Sequence, residues 1–364
     1  MDAYPDRRTR ADLADTRRPQ RAFCDRPNFP SSPTNPSASI PHMRNRAPLI
    51  FALLALFPIS ILAEEMPCKP TVTGHLDVFP IVSATFHNTR NLRVWLPPGY
   101  DDPANATKKY PVLYLLDGDS LFDECTAYLH EELHIDETLT ALITSGKIPP
   151  LIAVGVDNGS DVIDQNSDGP KADISKGRAL EYMPYPGTYY LPDIRDVHGT
   201  QLPDFLAHDV MPAVAEKYRV LSGGKNAALW GASLSGAAAL YIAIERPELF
   251  DRMIIESPSF FVGNGRLLRD SASLTNAPRR IALGIGTEEA LDSQFPDAAT
   301  LNAGWVRMMH SLADNLGAAA YSPTQVQLTV AEGAHHNAAA FGRRFAAGLL
   351  FIYGQEPTGP SNGK

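Results

Sequence analysis

Short apolar runs alternate with longer amphipathic segments over most of the chain. The runs have few polar interruptions, which is typical of strands buried on both faces of a sheet. They predict strands at residues 91–97, 110–116, 151–156, 227–230, 253–255, 280–285 and 325–330. Apolar residues at helical spacing predict helices at residues 134–145, 202–218, 234–246, 300–316 and 338–353. This alternation predicts an α/β fold, in which helices cover both faces of a mostly parallel central sheet.

One serine lies at the junction of a predicted strand and a predicted helix. Residues 227–236 read Ala-Ala-Leu-Trp-Gly-Ala-Ser-Leu-Ser-Gly, so Ser233 follows the strand directly. A nucleophile on such a sharp turn needs small residues two places before and two places after it, and these are Gly231 and Ser235. The usual motif has glycine where Ser235 stands. Ser235 is itself a rival nucleophile, but it lies one turn into the helix, so we favour Ser233.

A serine hydroxyl needs a base to take its proton, and three histidines follow Ser233 in the chain. His310 lies in the middle of a predicted helix, where we expect a structural or exposed residue. His335 and His336 follow the last predicted strand, which is where the order serine, acid, histidine places the base. Two adjacent histidines cannot both face the serine, and we favour His336.

The acid of such a triad orients the imidazole and stabilises its protonated form. It is expected just after the strand at residues 280–285. We favour Glu289 for this role. The residue pattern leaves three alternatives open, namely Glu288, Asp292 and Asp297.

Ester chemistry also needs two backbone N–H groups to stabilise the negative oxygen of the reaction intermediate. Leu234 follows the serine directly and is expected to supply the first. The second is expected after the strand at residues 110–116, at Asp119.

Composition narrows the range of partners. The 364 residues are 44% hydrophobic with a net charge of −9, and the folded part contains no lysine- or arginine-rich block. This argues against nucleic acid as a partner. The three cysteines, Cys24, Cys68 and Cys125, lack the spacing of a zinc site. We therefore expect no metal and no cofactor.

The N-terminal end contains two different kinds of sequence. Residues 1–42 are rich in Arg, Asp, Pro and Ser, and are interpreted as a disordered leader or a start-site artefact. Residues 43–63 have the positive start, apolar run and small-residue end of a secretory signal, which would begin at Met43. The apolar run is shorter than the roughly 20 residues that span a bilayer. A periplasmic or secreted protein without a stable membrane span is expected, in which Cys68 and Cys125 either pair or remain free.

Residues 157–200 interrupt the alternation of strands and helices. A polar loop of this length in a compact domain is usually functional, so we interpret it as a lid-like insertion. Asp164, Asn166 and Asp168 have the spacing of half a calcium loop, but Ser175 stands where the closing glutamate belongs. A solvated turn is the favoured interpretation.

Phrases along the whole region from residue 83 to 353 resemble the esterase D family of α/β-hydrolases, and most closely its enterochelin-esterase-like members. The matching phrases lie at residues 93–100, 110–118, 181–184, 205–219, 231–236, 257–260, 286–289 and 333–337. The resemblance implies an α/β-hydrolase fold. It also implies that Ser233, Glu289 and His336 form the triad and that Asp119 and Leu234 occupy the oxyanion positions. Three further residues would bind substrate, namely Asp123, Arg178 and Glu181.

The domain boundaries and function follow from this resemblance. A linker and first strand region at residues 64–82 would precede an esterase domain at 83–355 and a flexible tail at 356–364. The expected function is an exported serine carboxylic-ester hydrolase that acts on small-molecule or glycan-linked esters, with siderophore esters first. Feruloyl or acetyl-xylan esters and acyl transfer are the alternatives, and a non-catalytic binding protein comes last. The oligomeric state stays open.

Overall fold

Eight strands form one central sheet in the part of the chain that the structure describes. The computed structural model describes residues 68–159, 174–186, 194–291, 293, 295–320 and 323–354. The strands are β1 (His75–Ser83), β2 (Asn88–Leu96), β3 (Val112–Leu116), β4 (Ile152–Val156), β5 (Ala227–Ala232), β6 (Arg252–Glu256), β7 (Arg280–Gly286) and β8 (Val326–Ala331).

The order across the sheet is β1-β2-β4-β3-β5-β6-β7-β8. The pairs β1–β2 and β2–β4 are antiparallel, and the remaining neighbours are parallel. Because the carboxyl ends of parallel strands meet at one edge, the loops after β3, β5, β6, β7 and β8 are brought together. In an open α/β sheet this edge is where ligands bind.

Helices cover both faces of the sheet. They are α1 (Ile135–Thr144), α2 (Ile174–Tyr182), α3 (Leu202–Phe205), α4 (Met211–Lys217), α5 (Leu234–Glu245), α6 (Arg266–Ser271), α7 (Ala298–Ala319) and α8 (Ala338–Tyr353). Apolar residues of α1 and α8 pack in the core on one face, and those of α2 to α7 pack in the core on the other. The α/β fold with a mostly parallel sheet, predicted from the sequence, is confirmed.

Strand β3 shows how the sequence produces two cores. Its five residues are all buried. Val112, Tyr114 and Leu116 contribute to one core, and Leu113 and Leu115 contribute to the other. Successive side chains of a strand point to opposite faces, so an unbroken apolar run is what a strand covered on both sides requires.

Several segments differ from the sequence predictions. Helix α6 was not among the predicted elements, strand β1 was expected only as part of the first strand region at residues 64–82, and two further segments differ in kind. The helix predicted at residues 202–218 contains a π-helical stretch, Leu206–Val210, between α3 and α4. Pro212 follows that stretch and has no N–H to donate, which favours a local change of hydrogen-bond pattern. The segment at residues 157–200, interpreted as loop, contains α2. Asp164, Asn166 and Asp168 lie outside the described residues.

A disulfide holds the start of the described chain. Cys68 and Cys125 form a disulfide, with their Cα atoms 5.5 Å apart. The bond ties the segment before β1 to the loop after β3. None of the helices described is long and apolar enough to cross a membrane.

Candidate active site

Ser233 occupies a strained turn between β5 and α5. Its backbone has φ 60° and ψ −120°, a conformation that side-chain-bearing residues rarely adopt. The Ser233 N–H donates to the carbonyl of Glu256 at 3.0 Å, which ties the turn to the end of β6. A Cβ at Gly231 would collide with the Ser235 carbonyl, so the turn requires glycine there. Strain of this kind is found at functional sites, where the surrounding structure maintains it.

Ser235 has a different environment from Ser233. Its side chain is fully buried. The hydroxyl donates to the Ala232 carbonyl at 2.7 Å and accepts from the Ala232 N–H at 2.9 Å. Serine in place of the usual glycine therefore braces the turn from inside. Its hydroxyl has no access to a substrate in this arrangement.

Three side chains form a hydrogen-bonded chain at the carboxyl edge of the sheet. His336 Nε2 lies 2.9 Å from Ser233 Oγ, and His336 Nδ1 lies 2.5 Å from Glu289 Oε2. Ser233 follows β5, Glu289 follows β7, and His336 follows β8. The parallel sheet thus brings His336 to Glu289, 47 positions before it in the sequence, and to Ser233, 103 positions before it.

Glu289 is held ionised by its partners. Burial alone would raise the pKa of its carboxyl group, but hydrogen bonds and charge from His336, with help from the Ser257 hydroxyl and the Gly286 N–H, hold the pKa below its usual value. Ser257 and Gly286 both donate to Oε1 at 2.6 Å. Oε2 is therefore left for the imidazole, which fixes the ring orientation.

A second buried carboxylate lies behind this chain. Arg344 on α8 contacts Glu256 Oε2 at 2.5 Å and donates to Ser257 Oγ at 3.0 Å. The same guanidinium lies 3.6 Å from Glu289 Oε1. Burial raises the pKa of Glu256 to about 7, with Arg344 opposing this effect and the charge of Glu289 adding to it. One cation is thus shared by two carboxyl groups, of which Glu289 retains the charge more readily.

Sequence reasoning missed Ser257 and Arg344 as supporting residues. Ser257 belongs to a phrase that resembles the esterase D family, residues 257–260, so the resemblance contained a signal for it. Arg344 lies in an ordinary amphipathic helix. Only the packing of α8 against β6 and β7 shows that its charge reaches Glu289.

The alternatives for the base and the acid have surroundings that differ from those of His336 and Glu289. Glu288 is exposed, and His335 Nδ1 lies 2.9 Å from its backbone carbonyl. His310 is exposed on α7, and Asp297 is exposed just before that helix. Asp292 lies outside the described residues.

The two expected oxyanion donors follow neighbouring strands. Asp119 lies in a short 3₁₀ turn, Gly118–Ser120, after β3, and Leu234 is the first residue of α5 after β5. The N–H groups in the first turn of a helix have no partner inside the helix, so that of Leu234 is free to bind an anion. Strands β3 and β5 are adjacent and parallel, with Leu115 opposite Trp230, which brings both turns to the same edge.

The class of this protein is shown by a match to a protein-family model. A family model described as "Putative esterase" matches residues 83–352. The chain belongs to this esterase family. Its enzyme class is carboxylic ester hydrolase, as the resemblance implied.

Relatives of the esterase support the same fold. The protein described as "Uncharacterized protein YbbA" from Bacillus subtilis (strain 168) is 22% identical over 266 residues, which is 73% of this chain and 93% of that protein. The BES protein from Bacillus cereus has a TM-score of 0.56 at 19% identity, with 78% of this chain and 97% of that chain covered. The siderophore hydrolase EstA from Aspergillus nidulans has a TM-score of 0.58 at 19% identity, with 77% and 94% covered.

A third solved structure is larger than this esterase. The enterobactin esterase FES from Shigella flexneri has a TM-score of 0.53 at 17% identity. The match covers 79% of this chain but 60% of the Shigella chain. At these identities the likeness shows the fold.

The esterase has an apolar cavity at Ser233. Its volume is about 530 Å³. Apart from Ser233, Glu289, His335 and His336, its walls are largely apolar and aromatic, and they include Phe260, Phe261, Leu291, Phe295 and Trp305. The described lining residues include no lysine or arginine. The one group of described residues with the spacing of metal ligands lies outside this cavity.

The three residues expected to bind substrate have other partners. Arg178 forms two hydrogen bonds to Asp117, at 2.6 and 2.7 Å. Glu181 accepts from Arg90 at 2.5 Å. Asp123 accepts from the N–H group of Cys125 in its own loop and from that of Thr71 in the segment before β1. In the described part of the chain, none of the three lines the cavity at Ser233.

Arg178 nevertheless reaches the turn that carries the serine. Its Nη2 atom lies 3.3 Å from the carbonyl of Ala232, the residue before Ser233. Burial alone would raise the pKa of Asp117, but the charge and hydrogen bonds of Arg178 hold it below its usual value. Arg178 therefore links the end of β3 to the end of β5, the two strands that precede the expected oxyanion donors.

Proposed function

We propose that the esterase acts through Ser233 as nucleophile, His336 as general base and Glu289 as the acid that orients the imidazole. The observation that carries this proposal is the hydrogen-bonded chain from Ser233 Oγ through both nitrogens of His336 to Glu289. In this mechanism Ser233 Oγ attacks the ester carbonyl carbon while its proton passes to His336 Nε2. The Nδ1–H group donates to ionised Glu289, which stabilises the imidazolium.

The intermediate then breaks down in two stages. The alcohol leaves with the proton that His336 Nε2 returns to it, and the acyl group remains on Ser233. Water then attacks the acyl carbon, His336 takes its proton, and the acid is released as the hydroxyl of Ser233 is restored. The backbone N–H groups of Asp119 and Leu234 are proposed to hold the negative oxygen in both stages, each contributing about 3 kcal/mol.

A supporting role is proposed for Arg178 in place of direct substrate contact. Its bonds to Asp117 and to the Ala232 carbonyl keep the two oxyanion turns at a fixed separation. For Glu181 and Asp123 the partners described above favour structural roles over binding.

Siderophore esters are the first proposed substrates. Two of the similar solved structures are those of an enterobactin esterase and a siderophore hydrolase. The described cavity has aromatic walls and no arginine or lysine. Such a cavity favours the uncharged aromatic part of an iron-free ester over a negatively charged iron complex.

The same aromatic walls favour a second candidate, the hydrolysis of feruloyl esters. A planar aromatic acyl group fits a cavity of this composition, and its ester carbonyl would lie at Ser233. Transfer of the acyl group to an alcohol remains an alternative outcome of the same intermediate.

Export is proposed as part of the function. Residues 43–63 have the sequence features of a secretory signal. The disulfide between Cys68 and Cys125 supports an oxidising compartment, since structural disulfides are rare in the cytosol of most organisms.

The proposal is tested by comparing the chain from Glu64 onward with its Ser233→Ala and Ser235→Ala variants. We expect Ser233→Ala to lose about five to six orders of magnitude in kcat for p-nitrophenyl butyrate. Ser235→Ala should retain activity, because Ser235 faces the inside of the turn. Full activity in Ser233→Ala, or a silent wild-type enzyme, would contradict the proposal.

Substrate class is tested on the same preparations. We expect iron-free enterobactin to be hydrolysed faster than its iron complex, and methyl ferulate is the competing substrate. Chromatography after adding a sugar alcohol acceptor distinguishes hydrolysis from acyl transfer. If methyl ferulate gives the higher kcat/KM, the second candidate replaces the first.

A further inference from the structure

A loop away from the proposed triad gathers acidic side chains and one histidine. It leads from β3 to α1 and contains Glu132 and His134, and Glu137 lies in the first turn of α1. Ligand atoms of these three side chains lie within 4.8 Å of one another. Asp136, which lies between His134 and Glu137 in the sequence, is fully buried. We call Glu132, His134 and Glu137 the loop cluster.

Glu132 is the group in the loop cluster that needs explanation. Its side chain is 1% exposed. His134 Nδ1 lies 3.1 Å from Oε1, and the Thr71 hydroxyl is nearby, but neither makes a well-formed hydrogen bond to the carboxylate. Both oxygens of Glu132 are thus buried without a hydrogen-bond partner among the described residues. A buried carboxylate in that condition is costly unless a cation compensates it.

Two neighbouring carboxyl groups also have buried oxygen atoms without hydrogen-bond partners. Glu137 Oε2 and Asp136 Oδ1 are also buried without a hydrogen-bond partner among the described residues. No lysine or arginine in the described part of the chain forms an ion pair with Glu132, Asp136 or Glu137. In the described part of the chain, three acidic groups therefore converge with a single histidine and with no lysine or arginine.

We propose that the loop cluster binds one divalent transition-metal ion, Zn²⁺ or Mn²⁺, through Glu132, His134 and Glu137. Two carboxylates and one imidazole form a ligand set that these ions accept, with water completing the coordination. The imidazole argues against Ca²⁺ and Mg²⁺, which take oxygen ligands. The ion would supply a fixed positive charge at Glu132, which no described lysine or arginine supplies.

The site differs from a familiar zinc pattern that the sequence also contains. Residues 130–134 read His-Glu-Glu-Leu-His, which matches the H-E-x-x-H motif. That motif needs a helix to place both histidines on one face, whereas these residues precede α1 and His130 Nδ1 lies 3.0 Å from the carbonyl of Glu124. Only His134 of the pair belongs to the loop cluster. The proposed ion is therefore structural and is not a hydrolytic centre.

Its position gives the ion a structural role. The Thr73 hydroxyl donates to Glu137 Oε1 at 2.8 Å, and the Thr73 N–H donates to Asp136 Oδ2. Backbone bonds from Leu133 to Ser120 and from Ile135 to Leu121 join the same loop to the turn that follows β3. The ion would thus fasten the segment before β1 to the loop that follows Asp119.

Calorimetric titration with Zn²⁺ tests the proposal. The tag-free chain from Glu64 onward is first dialysed against a chelator and then against metal-free buffer. We expect one equivalent to bind, with at least about ten-fold weaker affinity in His134→Ala and in Glu137→Gln. Both side chains are partly exposed, so both variants should fold. Competition with Mn²⁺ distinguishes the two ions, and Ca²⁺ should not compete.

A matched control and a stability measurement sharpen the result. His208→Ala removes an exposed histidine that lies 3.9 Å from Asp204, and it should bind Zn²⁺ like the wild-type protein. Glu132→Gln removes a charge from a buried group, so without metal its Tm should equal or exceed that of wild type, while Zn²⁺ should raise only the wild-type Tm. Absent or sub-stoichiometric binding overturns the proposal, as does binding that persists in His134→Ala and Glu137→Gln or is lost equally in His208→Ala.

Discussion

Glu288 and Glu289 are adjacent in sequence but have opposite surroundings. The Glu289 side chain is 2% exposed and accepts from Ser257, Gly286 and His336, whereas that of Glu288 is 57% exposed. We expect Glu289→Gln to lower kcat by about three to four orders of magnitude, because an amide neither orients the imidazole correctly nor stabilises its charge. Glu288→Gln should change kcat by less than about two-fold. Steady-state hydrolysis of p-nitrophenyl butyrate measures both.

The two variants act as controls for each other. Both replace a carboxylate by an amide of the same size, so a general effect of lost charge would appear in both. A large loss of kcat in Glu288→Gln, with Glu289→Gln active, would move the acid of the triad to Glu288. Circular dichroism and Tm should show that both variants are folded.

Asp119 combines a backbone group of the proposed oxyanion hole with an unusual carboxyl group. Burial raises its pKa to about 7, and the charges of Asp117 and Asp157 add to this effect. Its Oδ1 atom is buried without a hydrogen-bond partner among the described residues. The folded protein therefore holds this proton more tightly than the unfolded chain, whose aspartate has a pKa of about 3.9. Its contribution to stability is largest below about pH 4 and falls as the pH rises to about 7.

The change Asp119→Asn removes this ionisation and keeps the backbone N–H group. We expect the Tm of the variant, minus that of wild type, to increase between about pH 4 and pH 7 and to level off above about pH 8. Taking the difference cancels the contribution of Glu256, whose pKa is also raised to about 7. Differential scanning calorimetry across this range measures the effect. A difference that does not change with pH would contradict the assignment.

At the scale of strands and helices, local sequence specified most elements. The apolar run at residues 110–116 predicted a strand, and the structure has β3 at Val112–Leu116. The helix predicted at residues 338–353 is α8, with the same bounds. These elements follow from hydrophobic periodicity, which is a local property. The position of the serine turn follows in the same way, because a small-residue junction after a buried strand leaves few alternatives.

Contacts between distant elements were harder to predict. Arg344 supports Glu289 only because α8 packs across β6 and β7, and the loop cluster exists only because the chain turns back after β3. The alternation of apolar and polar residues carries no information about such contacts. The pairing of Cys68 with Cys125 belongs to the same class, since the sequence left it open.

The disulfide has a measurable effect on the segment before β1. It closes a loop across a sequence separation of 57 residues, so its loss should lower the free energy of unfolding by about 2–4 kcal/mol. Urea denaturation of Cys68→Ser, Cys125→Ser and the double variant measures this, with chelator present so that metal binding does not contribute. Because each single change breaks the same bond, the three variants should be about equally unstable. Additive losses would show that the cysteines act independently.

At the scale of the whole molecule, the disulfide and the N-terminal signal lead to one prediction about where the enzyme works. A chain that starts at Met43 should be exported by a bacterial host and cleaved near Glu64. The mature enzyme should then contain no free thiol, because Cys24 precedes the start and the other two cysteines are paired. Mass spectrometry of the enzyme from the periplasm or medium, with and without a thiol-reactive reagent, measures both properties.

Deleting residues 43–63 provides the matched control. Without a signal the chain should stay in the reducing cytosol, where glutathione and thioredoxin keep thiols reduced. It should react with two equivalents of the reagent. Its unfolding midpoint in urea should be lower than that of the exported enzyme, and the decrease should equal the one caused by Cys68→Ser. Activity should be similar in both forms, since the disulfide does not touch Ser233, Glu289 or His336. An unprocessed chain that remains in the cytosol despite residues 43–63 would contradict export. That result would not affect the proposed chemistry at Ser233, which is tested separately by the activity assay.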